Sequence, residues 1–194
     1  CACSEETVYH DRMIRTSAPG SIMLFGEHAV LHGHPAVVAA VERRVRVNLT
    51  PRTDRIVRIR SALGAREAAL DELVPSPPLQ FAEQAVVASR PSLPGGLDLE
   101  IQADFPPTVG LGSSAAVTVA VLAALRVYAG RPVSPTDLAR DSGEVIRTVQ
   151  GVGSGADAAA SALGGIRLFR MGDEVHSRLL GGCPPLFLVY SGRK

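Results

Sequence analysis

One stretch constrains this chain more than any other: Pro106-Pro107-Thr108-Val109-Gly110-Leu111-Gly112-Ser113-Ser114-Ala115, a glycine-rich turn that runs straight into an apolar segment, Ala115 to Leu125. A helix that starts at such a turn gathers free backbone N–H groups at the positive end of its dipole. That is an anion site, and phosphate is its commonest guest. The Ser113 and Ser114 hydroxyls sit where they could cap the helix or reach a metal ion. Taken alone, the stretch reads equally well as a tight turn. It is not a Walker loop, because no Gly-Lys-Ser/Thr follows. Nor is it a dinucleotide fingerprint, since the third glycine and the ribose-binding acid are missing.

Composition narrows the partners. The 194 residues carry a net charge of +1, so neither nucleic acid nor an anionic membrane surface is expected. Lys194 is the only lysine among the 20 basic residues, which reads as arginine bias rather than a binding patch. No window is apolar for long enough to span a bilayer. No apolar run follows the first residues, so a secretory signal is not expected. Cys1, Cys3 and Cys183 show no metal-ligand spacing. The expectation is a reduced, cytoplasmic protein, and a homodimer is an allowed assembly.

Patterning suggests the architecture. Ile14–Ala18 and Ile22–Phe25 read as strands around a Pro19-Gly20 turn, with a loop over Gly26–Gly33 and a small apolar run over Ala36–Val41. Val45–Leu49, Ile56–Arg60 and Leu97–Ile101 alternate with period two, as half-buried strands do. Residues 62–78 read as a surface excursion. Helices are expected over Phe81–Ser89, from Ala115, over Pro135–Val149 behind a Ser134 N-cap, and over Gly155–Leu163. Ile166–Arg170 and Leu186–Tyr190 read as strands. Strands dominate the first half and helices the middle, so the fold class is α+β, a mixed sheet packed on helices.

Two further constellations carry chemistry. In Gly153-Ser154-Gly155-Ala156-Asp157, a bend is followed by an acid at a helix start. Its plain reading is an acid that complements the helix dipole. Glu144, with Arg147 three residues on, reads plainly as a solvated helix pair. The alternative is a phosphoryl-transfer set, in which one carboxylate and a serine hold Mg²⁺ while the other orients an alcohol. Finally, Pro19 to Val30 places Gly26-Glu27-His28 at the end of a strand.

Taken in order, these segments resemble the GHMP kinase superfamily. Pro106 to Ala115 matches its Pro-x-x-x-Gly-Leu-Gly-Ser-Ser-Ala motif in full, Ser154 to Asp157 its Ser-Gly-x-Asp, and Pro19 to His28 its Pro-Gly-Lys…Gly-Glu-His with one exception. Within the superfamily, Gly26-Glu27-His28-Ala29-Val30-Leu31-His32-Gly33 is most similar to the mevalonate kinases. The resemblance implies ATP- and Mg²⁺-dependent phosphorylation of the primary hydroxyl of mevalonate. Another superfamily kinase, phosphomevalonate kinase first, is the alternative, and a non-catalytic nucleotide-binding module is the third reading.

Roles follow residue by residue from the resemblance. Pro107, Gly110, Leu111, Gly112, Ser113, Ser114 and Ala115 would hold the ATP phosphates, Ser114 and Glu144 the Mg²⁺. Asp157 would be catalytic, and Ser21, Glu27 and His28 would lie at the mevalonate pocket. Glu144 stands about two residues further from Asp157 than the family pattern implies. Ser21 replaces the family lysine, and another cation, Arg15 first, is expected to stand in for it. The resemblance also implies that residues 1–194 form the N-terminal ATP- and substrate-binding domain of a two-domain kinase. The C-terminal domain would be absent from this chain, and the piece inactive alone.

Overall fold

The structure, a computed structural model, describes residues 13–172, 175–181 and 187–190. Among the described residues, seven strands form one mixed sheet: β1 (Ile14–Phe25), β2 (Ala36–Pro51), β3 (Ile56–Ser61), β4 (Gly64–Ala69), β5 (Leu97–Ala103), β6 (Ile166–Arg170) and β7 (His176–Leu180). The order is β4-β3-β5-β2-β6-β7, with β1 paired to β2. Among the described residues, only β3 and β5 pair in parallel. The α-helices of the described residues are α1 (Gln80–Ser89), α2 (Ser113–Tyr128), α3 (Pro135–Gln150) and α4 (Ala156–Leu163). The expected α+β class, a mixed sheet packed on helices, is what the chain forms.

β2 organises the sheet. β1 pairs with it from Ile14↔Leu49 to Phe25↔Val37. β5 takes its second half and β6 its first. The turn expected at Pro19-Gly20 is instead a register shift inside one continuous strand. Proline supplies no N–H for the ladder there. Gly20 leaves room for the Leu111 carbonyl, which an added Cβ would meet at 2.7 Å. β2 likewise joins two segments that looked separate, because β1 pairs both of them across Glu42-Arg43-Arg44.

The excursion over 62–78 contains β4, which closes a hairpin with β3. Its sequence, Gly-Ala-Arg-Glu-Ala-Ala, is largely exposed and lacks the branched residues that mark strands. β7 was equally unforeseen. Leu186 lies outside the described residues, and residues 187–190 are in no strand. Cys1, Cys3 and Cys183 also lie outside them.

α2 is apolar nearly all round and therefore buried. It packs on β1 and β2, and its Ala120, Leu125 and neighbours join Val47, Leu49 and Leu99 in the main core. α4 packs on β1, β2 and β6, where Ala156, Ala159 and Ala160 meet Ala36, Val38 and Phe169. α3 lies across α1, α2 and α4. Ser134 caps it, accepting from the Asp137 N–H at 3.3 Å. Among the described residues, no helix is long and apolar enough to cross a membrane.

Candidate functional site

The glycine loop leaves β5 through a single 3-10 turn, Pro107–Val109, and reaches α2 by way of two left-handed glycines, Gly110 (φ 75°) and Gly112 (φ 57°). No side chain caps α2. The first intrahelical bond runs from the Ala116 N–H to the Gly112 carbonyl. The N–H groups ahead of it, at Ser113, Ser114 and Ala115, are left for an outside acceptor. Ser113 Oγ makes only a long contact to the Pro107 carbonyl, at 3.5 Å. Half-buried Ser114 shares that first turn.

Three distant segments meet at this loop. The Ser21 N–H on β1 donates to the Leu111 carbonyl at 3.1 Å. The Ser21 hydroxyl donates to Asp157 Oδ1 at 2.7 Å. A Cβ added at Gly112 would stand 2.0 Å from that hydroxyl oxygen. Gly112 is therefore required twice, by its positive φ and by Ser21. Asp157 is the second residue of α4, behind left-handed Gly155, and the Ser154 hydroxyl steadies the bend by accepting from the Ala156 N–H.

Burial holds the Asp157 carboxyl above the usual carboxylate range. The Ser21 hydrogen bond opposes that shift, and the Glu27 carboxylate adds to it. Glu27 and His28 are exposed in the loop after β1, and the Glu27 carboxylate is close enough to act on Asp157. Beside the loop runs a largely apolar groove of about 840 Å³. Leu63, Phe81, Phe105 and Val117 line it, and Ser113 and Ser114 lie at its glycine-loop end. Sequence reasoning missed this groove. Its one signal was exposed Leu63 in the excursion over 62–78, half open to solvent.

Two expected residues are not brought to the loop. Glu144 lines a separate cavity of about 330 Å³ with Leu122, Arg126 and Asp141. Leu122 is eight residues beyond Ser114, roughly 12 Å along α2 at 1.5 Å per residue. From α3, Ile146 packs with Ala115 and Ala158 at the helix starts, and Gly143 and Arg147 approach Gly155 ahead of α4. Arg15 is exposed on β1, six residues before Ser21 and so about 20 Å away along the strand. It cannot stand in for the missing lysine. Among the described residues, no group of three acids, histidines or cysteines is placed to hold a metal ion.

Comparison with known proteins bears on this geometry. Residues 80–165 match the family pattern described as GHMP kinases N terminal domain. The mevalonate kinase of Methanothermobacter thermautotrophicus is 38% identical over 150 residues, covering 77% of this chain and 48% of its own length. That of Archaeoglobus fulgidus is 41% identical over 156 residues, covering 79% and 51%. The crystal structure of Methanococcus jannaschii mevalonate kinase superposes with a TM-score of 0.76 at 20% identity, over 89% of this chain and 56% of that one. The last likeness speaks for the fold. The chain spans about half the length of the curated relatives it matches.

Proposed function

The chain belongs to the GHMP kinase superfamily, most like the mevalonate kinases, and from that premise we propose that it carries the nucleotide- and acceptor-binding part of an enzyme that phosphorylates the primary hydroxyl of mevalonate with ATP. The observation that carries this reading is the meeting of three segments at one residue. Ser21 bonds to the glycine loop through its N–H and to Asp157 through its hydroxyl.

The phosphates of ATP fit the N–H groups of Ser113, Ser114 and Ala115, which no side chain of the helix caps. The base fits the apolar groove that begins at the same serines. The acceptor hydroxyl would lie at Asp157, within reach of Glu27 and His28. Its oxygen attacks the γ-phosphorus as the bond to the β–γ bridging oxygen breaks and ADP leaves. Asp157 orients the hydroxyl and takes its proton late, because an alcohol is too weak an acid to ionise beforehand.

Mg²⁺ fits in part. Ser114 offers a hydroxyl on the first turn of α2, but the carboxylate expected from Glu144 lies on the far side of α3. Mg²⁺ keeps several waters and leans on substrate phosphates, so Ser114 is the protein group that would hold it. When bound, the ion offsets phosphate charge. Cytoplasmic location and a homodimer belong to the same reading.

The test is mevalonate-dependent release of ADP from Mg·ATP by the intact protein. Turnover with mevalonate and none with phosphomevalonate supports the reading, and the reverse preference sinks it. A second reading, a non-catalytic nucleotide-binding module, is favoured by Ser21 standing where the family lysine is expected. Binding of Mg·ATP without turnover on any acceptor would establish it.

A further inference from the structure

We propose that Ser21 is the positioning residue for the Asp157 carboxylate, a buried hydroxyl aiming the group that would otherwise be aimed by a lysine ammonium. This rests on the reading of Asp157 as proton acceptor. The bond itself can be tested without that reading.

The geometry leaves Ser21 little freedom. The residue is 0% exposed. Its backbone is tied to the Leu111 carbonyl at 3.1 Å and its side chain to Asp157 at 2.7 Å. Two glycines make the enclosure. A Cβ at Gly20 would strike the Leu111 carbonyl at 2.7 Å, and one at Gly112 would come within 3.3 Å of the Ser21 Cβ. Strand, loop and helix thus close around one hydroxyl whose hydrogen has a carboxylate in front of it. A hydrogen bond to a charged acceptor is about twice as strong as a neutral one.

The surroundings offer the carboxylate no substitute. Ser21 supplies its one hydrogen bond among the described residues. Glu27 is the charged group that acts on it. The first turn of α2, Ser113 to Ala116, carries no charge. From β2 and β6, α4 meets apolar Ala36, Val38 and Phe169. Arg147 of α3 lies near the bend, its guanidinium 3.9 Å from where a Gly155 Cβ would be, but among the described residues the hydrogen bond to the carboxyl comes from Ser21. With one carboxylate nearby and no cation paired to it, the Ser21 hydroxyl is what fixes the direction of Asp157.

The experiment compares the intact wild-type protein with Ser21→Ala, Ser21→Cys, Asp157→Asn and the double variant Ser21→Ala/Asp157→Asn. Ser21→Ala is expected to lower kcat about tenfold or more while KM for ATP stays within about twofold. Loss of the hydrogen bond raises the Asp157 pKa, so the acid limb of kcat should move up by about one pH unit. Ser21→Cys, a weaker donor, should fall between the two. In the Asp157→Asn background, Ser21→Ala should change kcat by less than about twofold, because it acts through Asp157.

An unmoved limb with kcat within about twofold of wild type overturns the proposal, as does an equal loss in both backgrounds. Should Ser21→Ala not fold, the limb of Ser21→Cys decides on the same terms. A ¹³C-carboxyl titration of Asp157 without substrates tests the bond independently of turnover. An upward displacement in the variant supports the Ser21 bond, and none refutes it. If wild type phosphorylates no alcohol, the kinase reading fails, and this titration still decides whether Ser21 holds Asp157.

Discussion

Two regions of this molecule use charge in opposite ways. Around β3, β4 and the ends of β2 and β5, arginines and acids interleave on the surface: Arg52 with Asp54 and Asp98, Arg55 with Asp71, Arg58 with Glu67, Arg46 with Asp104. Asp54, Glu67, Asp71 and Asp104 are each held below the usual range, first of all by an arginine hydrogen bond, and Asp54 falls to about 2. At the glycine loop the pattern reverses. One carboxyl, Asp157, is enclosed, raised by burial and met by a hydroxyl and a second carboxylate. The surface end can lose any single pair cheaply, since exposed pairs are screened and individually weak. The loop end holds few polar groups, each in one arrangement, and cannot.

The largest break in that contrast is Asp157→Asn. Turnover in the intact protein should fall by about a thousandfold, with ATP affinity within about threefold of wild type. Steady-state kinetics beside calorimetric titration with Mg·ATP would show it. Retention of more than about a tenth of kcat would remove Asp157 from the chemistry.

Gly112→Ala comes next. The new methyl faces both a positive φ and the Ser21 hydroxyl at 2.0 Å, so the loop must move and Mg·ATP affinity should drop about a hundredfold. Gly130→Ala is the matched control. It also carries a positive φ, 64°, but nothing lies within 4 Å of its Cβ position. It should cost about 1–2 kcal/mol of stability and leave ATP affinity unchanged, as denaturant unfolding and the same titration would report.

Acid separates the regions by sign. Asp157 is raised in the fold, so its ionised fraction, and kcat with it, should fall at a pH above the ordinary aspartate value of 3.8. Asp54, Glu67, Asp71 and Asp104 are depressed. Whatever stability they lend is present above their unfolded values and is lost as pH falls through about 4 towards 2. A pH–rate profile and a series of thermal melts should therefore break at different pH, the rate first. Coincident breaks would dissolve the contrast.

Much of the loop end was legible because its chemistry is written in contiguous motifs. Pro106 to Ala115 and Ser154 to Asp157 both lie at helix starts, where glycine and small residues announce themselves. The contact that joins them was hidden. Ser21 and Asp157 are 136 positions apart, and nothing local says that a strand serine should face a helix aspartate. Pro19-Gly20 misled for a related reason: the pair that marks a turn locally here marks the place where a distant carbonyl docks on a strand. β4 escaped because its alanines, arginine and glutamate lack strand propensity and it forms by pairing with β3. Glu144 was misplaced because residues two apart on a helix face different sides, and the inward side belongs to Ile146.

With Glu144 turned away, Glu144→Ala should alter kcat and the Mg²⁺ dependence of the rate by no more than about twofold. Ser114→Ala should weaken Mg²⁺ dependence clearly, and titrating Mg²⁺ against rate reads both. The smallest effect belongs to the surface. Asp71→Asn should shift Tm by less than about 2 °C, and less still at high salt, in a melt followed by circular dichroism.

A crystal structure of the intact protein with a non-hydrolysable ATP analogue and mevalonate would decide most directly whether the glycine loop and Asp157 form one phosphoryl-transfer site. Phosphate oxygens should lie on the N–H groups of Ser113 to Ala115, the base in the groove beside Phe81 and Phe105, and the acceptor's primary hydroxyl about 3 Å from Asp157. Phosphates seated instead in the cavity of Glu144 and Arg126, or an acceptor oxygen far from Asp157, would contradict that site.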